Sequence, residues 1–167
     1  AAHADVLVEN FRPGTMEKFG LGYDALKTRN PRLVMASISG FGQDGPYAYR
    51  PALDVIVQGM GGMLSITGEP GGGPVRPGAS MGDITAALFT TVAIQSALLE
   101  REKSGEGQFI DISMLDCQIS MLNYMATMYS MSGDIPTPIG NSHFVHTPYN
   151  TFNTADDQII IAVIGDK

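Results

Sequence analysis

At 167 residues, 44% of them hydrophobic and 16% charged, the chain is long enough to bury one good core and too apolar to be disordered. A formal net charge of -7, with no Lys/Arg run and no interleaving of aromatic and basic residues, argues against a nucleic-acid partner. The single cysteine, Cys117, rules out an internal disulfide and suits a reducing, cytoplasmic compartment.

In chain order, residues 6–8 read as a buried strand, followed by the turn Arg12-Pro13-Gly14 and a short helix over 15–19. Residues 24–29 form a further helical turn that ends at Asn30-Pro31, and 33–39 form a second strand. This βαβ rhythm predicts a parallel, doubly wound α/β sheet. A loop rich in glycine and proline over 40–51 leads to a helix over 52–60, and the next loop, 68–82, contains Gly71-Gly72-Gly73-Pro74 and reads as mobile. Residues 84–99 carry no charge and read as a largely buried helix, closed by a charge cluster at 100–103 and by Ser104-Gly105. As a membrane span this stretch is poor, being short and interrupted by threonines and Gln95. A third strand covers 109–112. Helical periodicity over 114–131 puts Met114, Met121, Met125 and Met128 on one face, for a core or a subunit interface. The expected division is a large domain over 1–131, a linker over 132–150 and the start of a smaller domain over 151–167, where two strands flank an Asp156-Asp157 turn. Both ends fall next to strands, so the chain reads as an internal fragment.

Asp83 is the lone carboxylate at the head of the uncharged stretch. An Asp at a helix N-terminus caps free amides, and the helix dipole favours its ionised form; the same position suits a nucleophile. Asn10-Phe11-Arg12-Pro13-Gly14 joins a strand end to a short helix, either as a phosphate or nucleotide site helped by Arg12 and Lys18, or as a plain turn with a solvated Arg. Other chemistries find no support. The glycine run lacks the Gly-Lys-Ser/Thr of a P-loop, and no dinucleotide fingerprint is present. His3, His143 and His146 lack metal-ligand spacing. Ser39-Gly40-Phe41-Gly42 is not a nucleophile elbow, and Cys117 reads as buried rather than reactive.

Five ordered segments, residues 6–14, 37–42 and 50–54, Gly82-Asp83 and Gly105-Glu106-Gly107-Gln108, resemble the class III CoA-transferases. That family includes formyl-CoA and carnitine CoA-transferases and is related to alpha-methylacyl-CoA racemase. The resemblance implies a Rossmann-like large domain, a smaller domain reached through long linkers, and a homodimer of interlocked chains. It implies acyl-CoA and a carboxylic acid as substrates, with no covalently held cofactor, metal or membrane partner. It makes Asp83 the nucleophile that passes through an aspartyl anhydride and an aspartyl-CoA thioester. Asn10, Phe11, Arg12 and Lys18 match positions around CoA, Arg50 is a further candidate for its phosphates, and Leu53-Asp54 borders the active site. Two departures accompany the match. Nothing corresponds to the family's first βα unit or to the glycine-rich loop of its small domain, and Leu53 stands where the racemase has an acid/base histidine. A racemase and an inactive CoA-binding fragment are the alternatives.

Overall fold

The computed structural model describes residues 3–165. The first two residues of the expected large domain, 1–2, and the last two of the expected smaller domain, 166–167, lie outside the described residues. Three parallel strands, β1 (Val6–Glu9), β2 (Val34–Ser39) and β3 (Phe109–Ser113), form a sheet in the order β1-β2-β3. Val6 pairs with Val34, and Met35 pairs with Phe109. The central strand is the sequestered one. Leu33, Val34, Met35 and Ala36 are all buried, the continuous apolar run expected of a strand covered on both faces. Strand β1 lies at the sheet edge and is only half-buried, with Val8 exposed, so the expectation of a buried strand there is corrected.

Helices α1 (Thr15–Lys18) and α2 (Tyr23–Lys27) connect β1 to β2 and supply Met16 and Leu26 to a core shared with Leu33 and Met35. Between β2 and β3 the chain forms α3 (Asp54–Met60), α4 (Met63–Ile66) and the long α5 (Met81–Ser104). The short α4 carries too little periodicity to be read from sequence. Helix α5 packs on β2, β3 and α3, and on α6 (Met114–Ser120). It ends as its sequence dictates: Gly105 takes the left-handed conformation at φ 78°, and its amide donates to the Arg101 carbonyl.

The expectation that α5 is largely buried is corrected. Its buried edge consists of the small and hydroxylated residues Gly82, Thr85, Ala86, Thr90 and Ala97, with Arg101 near the C-terminus, while Leu88 and Val92 are each 61% exposed. Small residues let the helix lie close to its neighbours, and the two buried threonines satisfy their hydroxyls internally, Thr85 on the Met81 carbonyl and Thr90 on that of Ala86. Among the described residues α5 is the one helix long and apolar enough to cross a membrane, and its inward edge packs on the sheet.

The helix expected over 114–131 is two helices, α6 and α7 (Tyr124–Ser132), broken where Asn123 adopts a positive φ of 50°. The methionine face therefore does not form one stripe, and none of its members is fully buried. Residues 133–148 contain no helix or strand, and β4 (Tyr149–Asn153) and β5 (Gln158–Ala162) then form an antiparallel hairpin around the Asp156-Asp157 turn.

One buried charge ties the ends of these elements together. Arg101, near the C-terminus of α5, donates from Nη1 to the Arg32 carbonyl at 2.9 Å and from Nη2 to Asp5 Oδ1 at 3.0 Å. The guanidinium thus links α5 to the entrances of both β1 and β2. Because Asp5 is mostly exposed, the ion pair itself is weak and the bond to the carbonyl matters more. Arg101→Met keeps the apolar stem and removes the donors; it should cost about 1.5–3 kcal/mol in urea unfolding, whereas Asp5→Asn should cost less than about 1 kcal/mol.

Candidate active site

A cleft of about 1090 Å³ opens at the carboxyl ends of the three parallel strands. Asn10 follows β1, Ser39 closes β2 and Met114 follows β3, and all three line it. This is where open α/β sheets bind ligands, because the loops that leave the strands diverge there and expose free backbone groups. Asn10, Phe11, Arg12, Arg50, Asp54 and Asp83, expected from sequence to share a site, line this one cleft although they come from three separate stretches of chain. Lys18 does not. It closes α1, is exposed and lies outside the lining.

The N-terminus of α5 forms one wall, and its chemistry differs from the sequence reading. The N-cap is Ser80, whose side chain makes no capping bond, and Asp83 stands within the first turn. The capping acceptor comes from another helix. Asp54, the first residue of α3, accepts from the amide of Gly82 at 2.9 Å and from that of Asp83 at 3.4 Å, both through Oδ1. Its other oxygen accepts from Gln58 Nε2 at 2.6 Å, one helical turn along α3. Asp54 therefore holds α5 rather than pointing both oxygens at a ligand.

This contact requires glycine at position 82. A Cβ there would stand 2.6 Å from Val57 Cγ2 and 3.1 Å from Asp54 Oδ1, so any side chain would push α5 off its acceptor.

The first amides of α5 are engaged by the Asp54 carboxylate, so the electrostatics at Asp83 differ from those of a helix end with free donors. Burial pushes the Asp83 carboxyl above its ordinary value, and the neighbouring charge of Asp54 pushes it the same way. A carboxylate made more basic is also a better nucleophile.

Arg12 and Arg50 also line the cleft, neither with an ion pair among the described residues. Arg50 lies over the Tyr47 ring, 4.0 Å from its centroid, and Tyr47 meets Phe41 edge-on. The ring fixes the guanidinium without neutralising it. Ser39 Oγ is buried and has no hydrogen-bond partner among the described residues. Sequence reasoning missed two residues. Gln58 was legible as the residue four positions after Asp54, one turn along the expected helix over 52–60; Arg76, which also lines the cleft, was legible as an isolated cation in the glycine-rich loop before Asp83. Cys117 is buried as expected, and burial followed by the charge of Asp116 pushes its thiol up.

The sequence model of CoA-transferase family III matches residues 1–167. The chain is 45% identical over 163 residues to a succinate–glutarate CoA-transferase of Agrobacterium fabrum, covering 98% of this chain and 41% of the relative. It is 44% identical over 164 residues to an acetyl-CoA:oxalate CoA-transferase of Acetobacter aceti, with coverage of 98% and 42%. Among solved structures, a CAIB/BAIF family protein from Brucella suis superposes with a TM-score of 0.90 at 45% identity, over 96% of this chain and 43% of that one. The chain thus spans about two fifths of the length of the curated relatives it matches.

Two measurements follow from this geometry. Asp54→Ala removes the acceptor for the α5 amides and should lower unfolding free energy by about 1–2 kcal/mol in urea titration. The second concerns Asp83. Its folded-state pKa lies above the unfolded value, so the folded protein holds that proton more tightly than the unfolded chain. Ionising Asp83 then costs stability: the cost is absent below the ordinary carboxylate pKa, grows as pH rises through the window up to the folded pKa, and is complete above it. Asp83→Asn should therefore unfold at higher urea than wild type at neutral pH and lose that advantage near about pH 3.

Proposed function

This chain belongs to CoA-transferase family III, and on that premise we propose that the full-length protein moves CoA from an acyl-CoA to a free carboxylic acid with Asp83 as nucleophile. The observation that carries the reading is the convergence of Asp83 with Arg12 and Arg50 in one cleft at the strand ends. A transferase of this kind needs a basic carboxylate for the acyl group and unpaired cations for the phosphates of CoA. Arg12 and Arg50, together with Asn10 and Phe11, would hold the nucleotide end. The names of the two relatives point to short dicarboxylic acids as substrates.

The chemistry runs in balanced steps. An oxygen of Asp83 attacks the thioester carbonyl, the C–S bond breaks, and CoA leaves as thiolate with a mixed anhydride on the enzyme. The thiolate attacks the aspartyl carbonyl, the donor acid departs as carboxylate, and an aspartyl-CoA thioester remains. The acceptor carboxylate attacks that thioester and expels the thiolate, which attacks the acceptor's acyl carbon and regenerates Asp83. Splitting one exchange between two poor partners into four acyl transfers is the gain of covalent catalysis. No step moves a proton to or from carbon.

That last point separates the transferase from a racemase. Leu53 lines the cleft beside Asp54 and is 71% exposed, yet it can neither give nor take a proton. We further propose a homodimer, since Leu88, Val92 and Met131 leave apolar surface uncovered on α5 and α7, and a cytoplasmic location, in keeping with the single Cys117.

In the full-length enzyme, Asp83→Asn should retain the fold and lose transfer activity by more than about 1000-fold. Activity within about tenfold of wild type would remove Asp83 from the mechanism. A 2-methylacyl-CoA incubated with wild type in deuterated water should take up no deuterium at its α-carbon without an acceptor acid; rapid uptake would restore the racemase.

A further inference from the structure

Arg76 lies in the loop between α4 and α5 and lines the same cleft as Asp83. The loop is held at defined points. The Val75 amide donates to the Leu64 carbonyl at 3.2 Å, and the Gly140 amide donates to the Gly68 carbonyl at 2.9 Å. Arg76 is thus carried by a backbone pinned one residue before it. Its guanidinium is oriented as well. Nε donates to the Pro77 carbonyl at 3.2 Å, while Arg76 forms no ion pair among the described residues. With Nε engaged, the outer edge carrying Nη1 and Nη2 remains, a fork whose spacing matches two carboxylate oxygens.

A dicarboxylic acid reacting at Asp83 brings a second carboxylate into the cleft. That charge does not react, so it must be paired or it opposes binding. The two acids already there worsen the problem: Asp83 is the reacting group, and Asp54 is committed to α5 and Gln58. Arg12 follows β1, Arg50 sits over Tyr47 in the loop after β2, and Arg76 precedes Asp83 on the same stretch of chain. Deepening the CoA-transferase reading on which it rests, we infer that Arg76 is the anchor for the distal carboxylate of a dicarboxylic substrate, fixing its length and orientation against Asp83.

The test uses the full-length enzyme with acetyl-CoA as donor and pairs of acceptors matched in length, succinate with butyrate and glutarate with valerate. The readout is the ratio of kcat/KM for the dicarboxylic over the monocarboxylic acid. Arg76→Gln should lower that ratio by about 10–100-fold, through KM of the dicarboxylic acid, and Arg76→Lys should recover part of it. Equal loss on both acceptors would assign Arg76 to holding the loop and overturn the inference. A raised KM for acetyl-CoA with the ratio intact would assign it to a CoA phosphate, which also overturns it. A wild-type enzyme that transfers CoA to monocarboxylic acids with no dicarboxylic preference would reject Arg76 as anchor and leave the transferase reading standing. Absence of transfer to any acid, from acetyl-CoA and from succinyl-CoA alike, would sink both.

Discussion

The carboxylate of Asp54 on the amides of Gly82 and Asp83 is the contact on which the site depends. It joins the start of α3 to the start of α5, so two helices separated by the glycine-rich loop meet at one charged hydrogen-bonded point. Everything nearby serves the approach. Gly82 leaves room for it, Gln58 occupies the second oxygen of Asp54, and the small residues Thr85 and Ala86 let the next turn of α5 settle inward. The electrostatic result is unusual for a helix terminus. A carboxylate in the first turn ordinarily gains from free amides and from the dipole; here another carboxylate has already taken those donors, and Asp83 is left more basic and turned toward the cleft.

Net charge and local charge point in opposite directions in this molecule. The chain carries -7 overall, yet the cleft is lined by Arg12, Arg50 and Arg76 against Asp54 and Asp83. None of those three arginines forms an ion pair among the described residues, whereas Arg32 and Arg101, away from the cleft, do. Anionic ligands respond to the local arrangement; the global charge acts mainly through longer-range fields that salt screens.

Much of the architecture could be read from the sequence because it rests on local rules. The apolar run through Val34 and Met35 marked the central strand, the parallel order followed from the βαβ rhythm, and Ser104-Gly105 ended α5 where expected. The errors arose where tertiary contact overrides local pattern. An uncharged helix looks buried all round, but composition does not say which side meets the sheet, and in α5 the small residues face inward while Leu88 and Val92 face out. Periodicity over 114–131 gave one helix because a break at Asn123 through backbone conformation leaves the spacing of methionines untouched. Asp83 lines the cleft, and of the two roles its position allowed, the cap is not the one it fills, since Ser80 is the N-cap. The acceptor for the α5 amides lies far back along the chain at Asp54, and no local signal joins the two. Motif matching placed Asn10, Phe11, Arg12, Arg50, Asp54 and Asp83 in one site, and they share one cleft. Lys18 matched by position along the chain, and the short α1 carries it away from the lining.

The most direct test of Asp83 as an acyl-accepting nucleophile is peptide mapping by mass spectrometry of the full-length enzyme quenched in acid during turnover with an acyl-CoA. The expected result is a CoA thioester on the peptide that contains Asp83, present while donor remains and discharged when a carboxylic acid is added. A CoA or acyl adduct on a different residue, or turnover with no adduct under any quench, would contradict it.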